Sequence, residues 1–263
     1  IGIFNAGSAL GSTVAAPVVG GLAIAYGWRA AFVVTGLFGL LWMLGWLLTY
    51  RTGPYSEPVT NETVDWRRVL TARGCWTLIV ARFFTDPVVY FMMFWLPEYL
   101  RKERGFDLAM VTRYGWIPFV AADVGYLLGG WLSGWLIDRG WTVARSRKCV
   151  MLLGALCLPP AMLAPLVPEA WMAIAAMCSV MLGHALWVSN ELTIPTDLFK
   201  GREVGTASGL SGMGGAIGGV IANLGTGYVV SAFSYAPVFL LIGCLHPFAM
   251  LLVWRLLPDK EWE

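Results

Sequence analysis

The sequence predicts an all-α, polytopic membrane protein, and three observations carry that reading. Of 263 residues, 58% are hydrophobic and 13% are charged, at a mean hydropathy of +0.68, so the chain has too little charge to cover a water-soluble surface. The apolar residues fall into eight stretches, each near the roughly 20 residues needed to cross about 30 Å of hydrocarbon. Tryptophan (14) and glycine (31) are both plentiful, which suits aromatic rings at lipid headgroups and small residues at helix contacts.

The eight stretches are 1–26, 28–50, 75–100, 112–137, 149–167, 170–194, 205–232 and 233–257. The first, opening at Ile1 without a Met or a polar or basic leader, implies no cleavable signal and reads as part of something longer. Its run GIFNAGSALGSTVAAPVVGG is small-residue-rich up to Pro17, and the second stretch follows almost directly at Gly27. A polar connection at 51–74 then forms the natural domain seam, dividing two spans (1–50) from six (75–263). The third and fourth stretches carry ionisable residues, treated below. The seventh, GTASGLSGMGGAIGGVIANLGTG, places Gly or Ala at nearly every second position, which allows close helix approach and equally suits a hinge. It abuts the eighth near Ser231 to Ser234. Trp28, Trp116, Trp171 and Trp254, near span ends, read as interface anchors.

Lys and Arg divide unevenly between alternate connections. The set formed by 51–73, 139–148, 200–202 and 255–260 holds twelve, the opposite set holds five, and Arg82 lies inside a span. The basic set is expected to face the cytoplasm, with both chain ends on that side. Net charge of +2 gives no reason to expect nucleic acid. Cys75, Cys149, Cys157, Cys178 and Cys244 stand singly in apolar surroundings, as small buried hydrophobes rather than metal ligands or disulfides. With no zincin, P-loop or dinucleotide fingerprint, neither enzyme activity nor an organic cofactor is expected.

An ionisable group at mid-bilayer costs about 2.5–3.5 kcal/mol on insertion scales, so each needs a partner or a wet cavity. Arg82 and Asp86 are four apart in ARFFTDPVVYFMMFW, on one helix face. They form a mutual ion pair, or else Asp86 with Tyr90 and Phe94 lines an aqueous path, a reading that Pro87 favours by freeing a backbone carbonyl. Asp123 in WIPFVAADVGYLLGG binds a coupling ion or pairs locally. His184, Trp187 and Glu191 fall at i, i+3 and i+7 with Asn190 at the edge, one polar stripe of the sixth span. Such a stripe is either a polar ligand site looking into a wet cleft or interhelical hydrogen-bond glue.

Gly134, Asp138 and Arg139, followed by Arg145, Arg147 and Lys148, resemble the cytoplasmic loop signature of the major facilitator superfamily. The segments GIFNAGSALGSTVAAPVV, YGWRAAFVVTGLFGLLW, TDPVVYFMMFWLPEYL and GHALWVSNELTIPTDLF are similar to its anion:cation symporter branch, and within it to carriers of hexuronates and related sugar acids. The resemblance covers nearly the whole chain. It implies a twelve-helix fold in which residues 1–50 are the last two helices of an N-terminal bundle, 51–74 the cytoplasmic linker and 75–263 the six-helix C-terminal bundle. It implies alternating access around a midplane site, in a multi-pass protein of a bacterial inner membrane that is a monomer when full length. The partners would be the bilayer, a small organic anion and a proton, or Na+ in its place. Substrate contacts would come from Asn5, Ser8, Tyr90, Phe94, His184, Trp187, Asn190 and Ser211, with Arg82, Asp86, Asp123 and Glu191 as coupling or ion-pair candidates. The loop from Gly134 to Lys148 would gate. The family's first four spans, which hold its clamping arginine and coupling acids, have no counterpart here.

Two other classes compete. GLSG (Gly209 to Gly212) matches a short intramembrane serine hydrolase motif, with Ser211 as nucleophile and His246 as base. A non-transporting sensor on a carrier scaffold would bind the same ligand without net flux.

Overall fold

In a computed structural model of the chain, which describes residues 2–50, 64–257 and 259–262, the apolar stretches become helices and no strand occurs among the described residues. The helices are α1 (Gly2–Tyr26), α2 (Trp28–Thr49), α3 (Trp66–Thr71), α4 (Arg73–Phe94), α5 (Leu96–Arg104), α6 (Leu108–Tyr114), α7 (Ile117–Asp138), α8 (Val143–Leu156), α9 (Ala170–Glu191), α10 (Ile194–Leu198), α11 (Arg202–Ala232) and α12 (Ala236–Leu256). Among the described residues eight spans are long and apolar enough to cross a membrane, and they correspond one to one with the eight expected stretches, with ends that differ by up to six residues. Three are composite. The fourth joins α6 to α7 through Gly115 and Trp116, the fifth continues α8 into a 3-10 turn at Pro159–Leu163, and the sixth joins α9 to α10. Prolines near the starts of these second pieces (Pro118, Pro159, Pro195) fit a first helical turn, where a missing N–H costs nothing.

Residues 51–63 of the expected polar seam lie outside the described residues. The rest of it is not plain linker. Asp65 accepts a hydrogen bond from the Arg68 backbone N–H at 3.0 Å and so caps α3, whose Val69 is buried with Cys75, Phe199 and Ala207. One ion pair, Arg68 to Glu203 at 3.6 Å, runs from α3 to the start of α11.

Two helix pairs hold the six-span group together, α7 with α9 and α4 with α11, and both close on glycine. A methyl group on Gly125 would overlap the Leu182 carbonyl, and one on Gly214 or Gly218 the carbonyls of Ile79 or Phe83. With no side chain between them the backbones approach closely, and dispersion contacts drive the pairing where lipid leaves no hydrophobic force between helices. The small-residue texture of 205–227 is therefore used in packing. The core between these pairs is built by Phe91, Met92, Leu96, Met177, Val180 and Phe239.

At one end of the group Tyr99 donates to the Ala164 carbonyl at 2.9 Å, and Arg104 donates to the Tyr99 oxygen and to the carbonyls of Ala164 and Val167. Burial pushes the Tyr99 phenol above its ordinary pKa, so it remains a neutral donor. Gly105, at φ 68, then terminates α5 in the left-handed conformation that favours glycine.

The first two spans stand apart from this core. α1 packs along α7 and α6, whereas α2 packs mainly on α1 and leaves Phe32, Phe38, Trp42 and Leu48 exposed. Such a surface is stable against acyl chains or further apolar helices.

The close glycine contacts make a prediction. Gly218→Ala should lower the thermal stability of the detergent-solubilised protein by about 1–3 kcal/mol, because the new methyl meets Phe83 backbone. Gly209→Ala, with open space around it, should leave stability unchanged or slightly raised. Equal behaviour of the two variants in a melting assay would contradict this packing.

Candidate functional site

The polar residues of the third and sixth spans converge where α4, α9 and α12 meet. On α4, Arg82 donates to Asp86 Oδ2 from Nε at 3.1 Å and from its terminal nitrogen at 2.7 Å, a charge-assisted pair one helical turn apart. The pair exists because the two residues are four apart, and it fits because α11 offers glycine opposite it. Gly215 lies against the Asp86 carboxylate, which any side chain there would push aside, and a methyl on Gly212 would stand at ordinary contact distance from the Arg82 guanidinium. Arg82 also interacts electrostatically with Glu191 and His184 on α9.

Behind the pair, α9 supplies the polar stripe. The Trp187 indole N–H donates to Glu191 Oε2 at 2.9 Å. His184 Nδ1 and His246 Nε2, from α12, lie 3.2 Å apart, one carrying the hydrogen that the other accepts. The His246 ring meets Trp187 edge to face at 5.4 Å. Glu191 Oε1 and His246 Nδ1 have no hydrogen-bond partner among the described residues. Sequence reasoning missed two members. His246 was weighed only as a hydrolase base, and Tyr126 of α7, within electrostatic range of Arg82, Asp86 and Asp123, was not singled out. Its spacing of three from Asp123 was the available signal.

The expectation that His184, Trp187 and Asn190 look into a wet cleft is corrected. They are 2%, 0% and 0% exposed, turned into the six-span group. The cause is the position of α9, which packs against α4, α7 and α8 and meets α12 through His246, so its polar stripe is enclosed by protein. Asn190 behaves as glue, donating to the Gly129 carbonyl of α7 at 3.2 Å and to Leu186 at 3.1 Å. Ser211 likewise sits 3.4 Å from the Leu78 carbonyl of α4.

The remaining candidates lie elsewhere. Tyr90 and Phe94 continue the Arg82–Asp86 stripe along α4, their rings stacked at 6.2 Å, and Phe94 borders a cavity of about 420 Å³ between α1 and the six-span group. Ser12, Gly20 and Thr112 line the same cavity. Asp123 accepts from the Thr13 hydroxyl at 3.1 Å, a side-chain bond between α1 and α7. Asn5 and Ser8 sit near the start of α1, Ser8 exposed.

At the loop between α7 and α8 the bases do not pair with Asp138. Arg147 reaches Asp197 at 3.3 Å and Ser133 at 2.9 Å, Lys148 reaches Asp259 at 2.6 Å, Arg145 lies 3.8 Å from Asp259, and Arg139 stacks over Trp135 at 3.5 Å. Gly134 has open space around it. The hydrolase alternative finds no dyad here, because Ser211 engages Leu78 while His246 engages His184.

A family model described as Major Facilitator Superfamily matches residues 1–221 and 115–262. The chain is similar to the hexuronate transporter of Escherichia coli (28% identity, 99% of this chain, 65% of the relative) and the galacturonate transporter of Dickeya chrysanthemi (29%, 69% and 59%). It is also similar to the D-galactonate transporter of Escherichia coli (24%, 93% and 63%). It thus spans about 65% or less of the length of these relatives. Among solved structures it is similar to a bacterial homolog of the human lysosomal transporter Spinster, inward-facing and unoccupied, with TM-score 0.59 at 19% identity over 90% of this chain and 60% of that one. At that identity the likeness concerns the fold.

The part-buried Arg82–Asp86 pair is testable as a pair. Asp86→Asn alone should destabilise by about 3 kcal/mol, because it strands the guanidinium. Adding Arg82→Gln should restore part of that loss, giving a coupling energy above about 1 kcal/mol in a double-mutant cycle. Additive losses in thermal unfolding would mean the two side chains do not depend on each other.

Proposed function

We propose a function from one premise: the chain belongs to the Major Facilitator Superfamily. It serves a secondary active transporter that moves a small organic anion of the sugar-acid class, with a proton, by alternating access across a bacterial inner membrane. The sugar-acid class is supported by the names of the similar carriers, for hexuronate, galacturonate and D-galactonate. In this reading residues 1–50 are the last two spans of one bundle, 51–74 the linker, and 75–263 the second bundle, with the Lys- and Arg-rich ends in the cytoplasm.

The observation that carries the proposal is the Arg82–Asp86 pair with Glu191 behind it. An anion crossing hydrocarbon needs a fixed positive charge, and Arg82 is the Arg or Lys farthest from a span end among the described residues. One guanidinium faces two carboxylates, so the cluster is neutral only when one carboxyl holds a proton. Asp86 already engages Arg82 through two hydrogen bonds, so Glu191, with one bond and a bare oxygen, is the holder. A substrate carboxylate that takes over Arg82 displaces Asp86, and neutrality then requires one further proton. One anion would therefore travel with one proton.

The other residues take supporting roles. Tyr90 and Phe94 extend the stripe from Arg82 toward the α1 cavity and present aromatic faces on which a sugar ring packs. Trp187 and His184, with His246, fix Glu191 from behind as positioning residues. The Thr13–Asp123 bond is a contact that a relative movement of the two bundles would make and break.

Uptake of labelled galacturonate into proteoliposomes of the intact natural protein tests this reading. Arg82→Ala should reduce uptake at least a hundredfold while membrane insertion stays normal. Replacing both carboxyls, Asp86→Asn with Glu191→Gln, leaves no group to take the further proton and should abolish the response to an imposed pH gradient while retaining exchange of external for internal substrate. Wild-type gradient response in that double variant, or uptake unaffected by Arg82→Ala, would sink the assignment. A protein that binds galacturonate with neither flux nor exchange would be a sensor instead.

A further inference from the structure

At the end of the group where α7 ends, α8 begins and α12 ends, a pocket of about 410 Å³ is lined by Trp141, Arg145, Lys148, Leu152, Trp254 and Asp259. None of these belongs to the cluster around Arg82. We infer that this pocket binds the headgroup and upper chain of an anionic phospholipid bearing one phosphodiester charge.

Charge comes first. Arg145 and Lys148 both converge on the single carboxylate of Asp259, at 3.8 Å and 2.6 Å, leaving the pocket one positive charge in excess. Spare donors accompany it. Lys148 makes one hydrogen bond of its three, although its side chain is only 7% exposed, and Arg145 holds Asp259 only loosely. A buried ammonium with unused donors beside an exposed guanidinium is a ready site for phosphate oxygens.

Shape decides the source of the phosphate. From Arg145 to Leu152 the pocket follows α8 for about 10 Å, at ~1.5 Å per residue. Along that distance its wall changes from Arg145 and Lys148 to Leu152, with Leu153 and Leu156 exposed beyond. A ligand matching that gradient has a charged head and an apolar tail. Trp141 and Trp254, both exposed, flank the mouth as indoles do at the depth of lipid headgroups. Basic pockets between helices on the cytoplasmic side recognise anionic lipid heads through the same chemistry. A zwitterionic lipid brings its own ammonium and leaves the excess charge uncancelled.

The test is native mass spectrometry of the intact natural protein in detergent, titrated with short-chain phosphatidylglycerol, phosphatidylethanolamine or inorganic phosphate. Phosphatidylglycerol should bind at least fivefold more tightly than phosphatidylethanolamine. Arg145→Gln, at an exposed side chain, should weaken phosphatidylglycerol binding about fivefold, the factor one basic residue near a membrane surface is worth. Asp259→Asn should strengthen it, an outcome that loss of a merely structural contact would not give. Equal binding of the two lipids, indifference to Arg145→Gln or weaker binding in Asp259→Asn would overturn the inference. So would inorganic phosphate binding as tightly as phosphatidylglycerol, which would mark a site for free anions.

Discussion

A guanidinium halfway along a membrane-crossing helix must be neutralised, and the interior of the six-span group is arranged around that requirement. Arg82 meets it locally through Asp86, one turn away, with two hydrogen bonds that leave little of the charge uncompensated. The pair needs room, and α11 gives it by presenting Gly212 and Gly215 where side chains would otherwise stand. The neighbouring Gly214 and Gly218 bring α4 and α11 into backbone contact, so stability and site geometry rest on one glycine-rich stretch of α11.

Around this centre the polar groups grade from well satisfied to incomplete. Asn190 and Ser211 bond to backbone carbonyls of neighbouring helices and hold the group together. Glu191, His246 and Asn190 each keep one buried polar atom without a partner among the described residues. Incomplete satisfaction is costly in a dry interior. What separates Asn190 from Glu191, adjacent on one helix, is that the Asn190 amide donates to the Gly129 carbonyl of α7, whereas Glu191 is ionisable and interacts electrostatically with Arg82.

Most of the fold was legible in the sequence, because a span is set by length and hydropathy, and neither depends on neighbours. All eight stretches and the Arg82–Asp86 pair, whose partners share a helix, were read from local spacing. What depends on contacts between helices was not. The stripe at His184, Trp187 and Glu191 was visible, but which way it faces depends on α9 being surrounded, which no periodicity in α9 reveals. His246 joined the cluster from the eighth span, and Asp259, far along the chain, engages Arg145 and Lys148 of the loop between α7 and α8. The breaks before Pro118, Pro159 and Pro195 carried a sequence signal that hydropathy alone passed over.

The central claim is that one guanidinium and two carboxyls are balanced by a single proton on Glu191. Infrared difference spectroscopy of the membrane-reconstituted intact protein at neutral pH measures this directly. The account predicts a carbonyl stretch of a protonated carboxylic acid that disappears in Glu191→Gln and also in Asp86→Asn, where Glu191 is left as the one counter-charge to Arg82. A spectrum without that band, or one whose band survives Glu191→Gln, would contradict it.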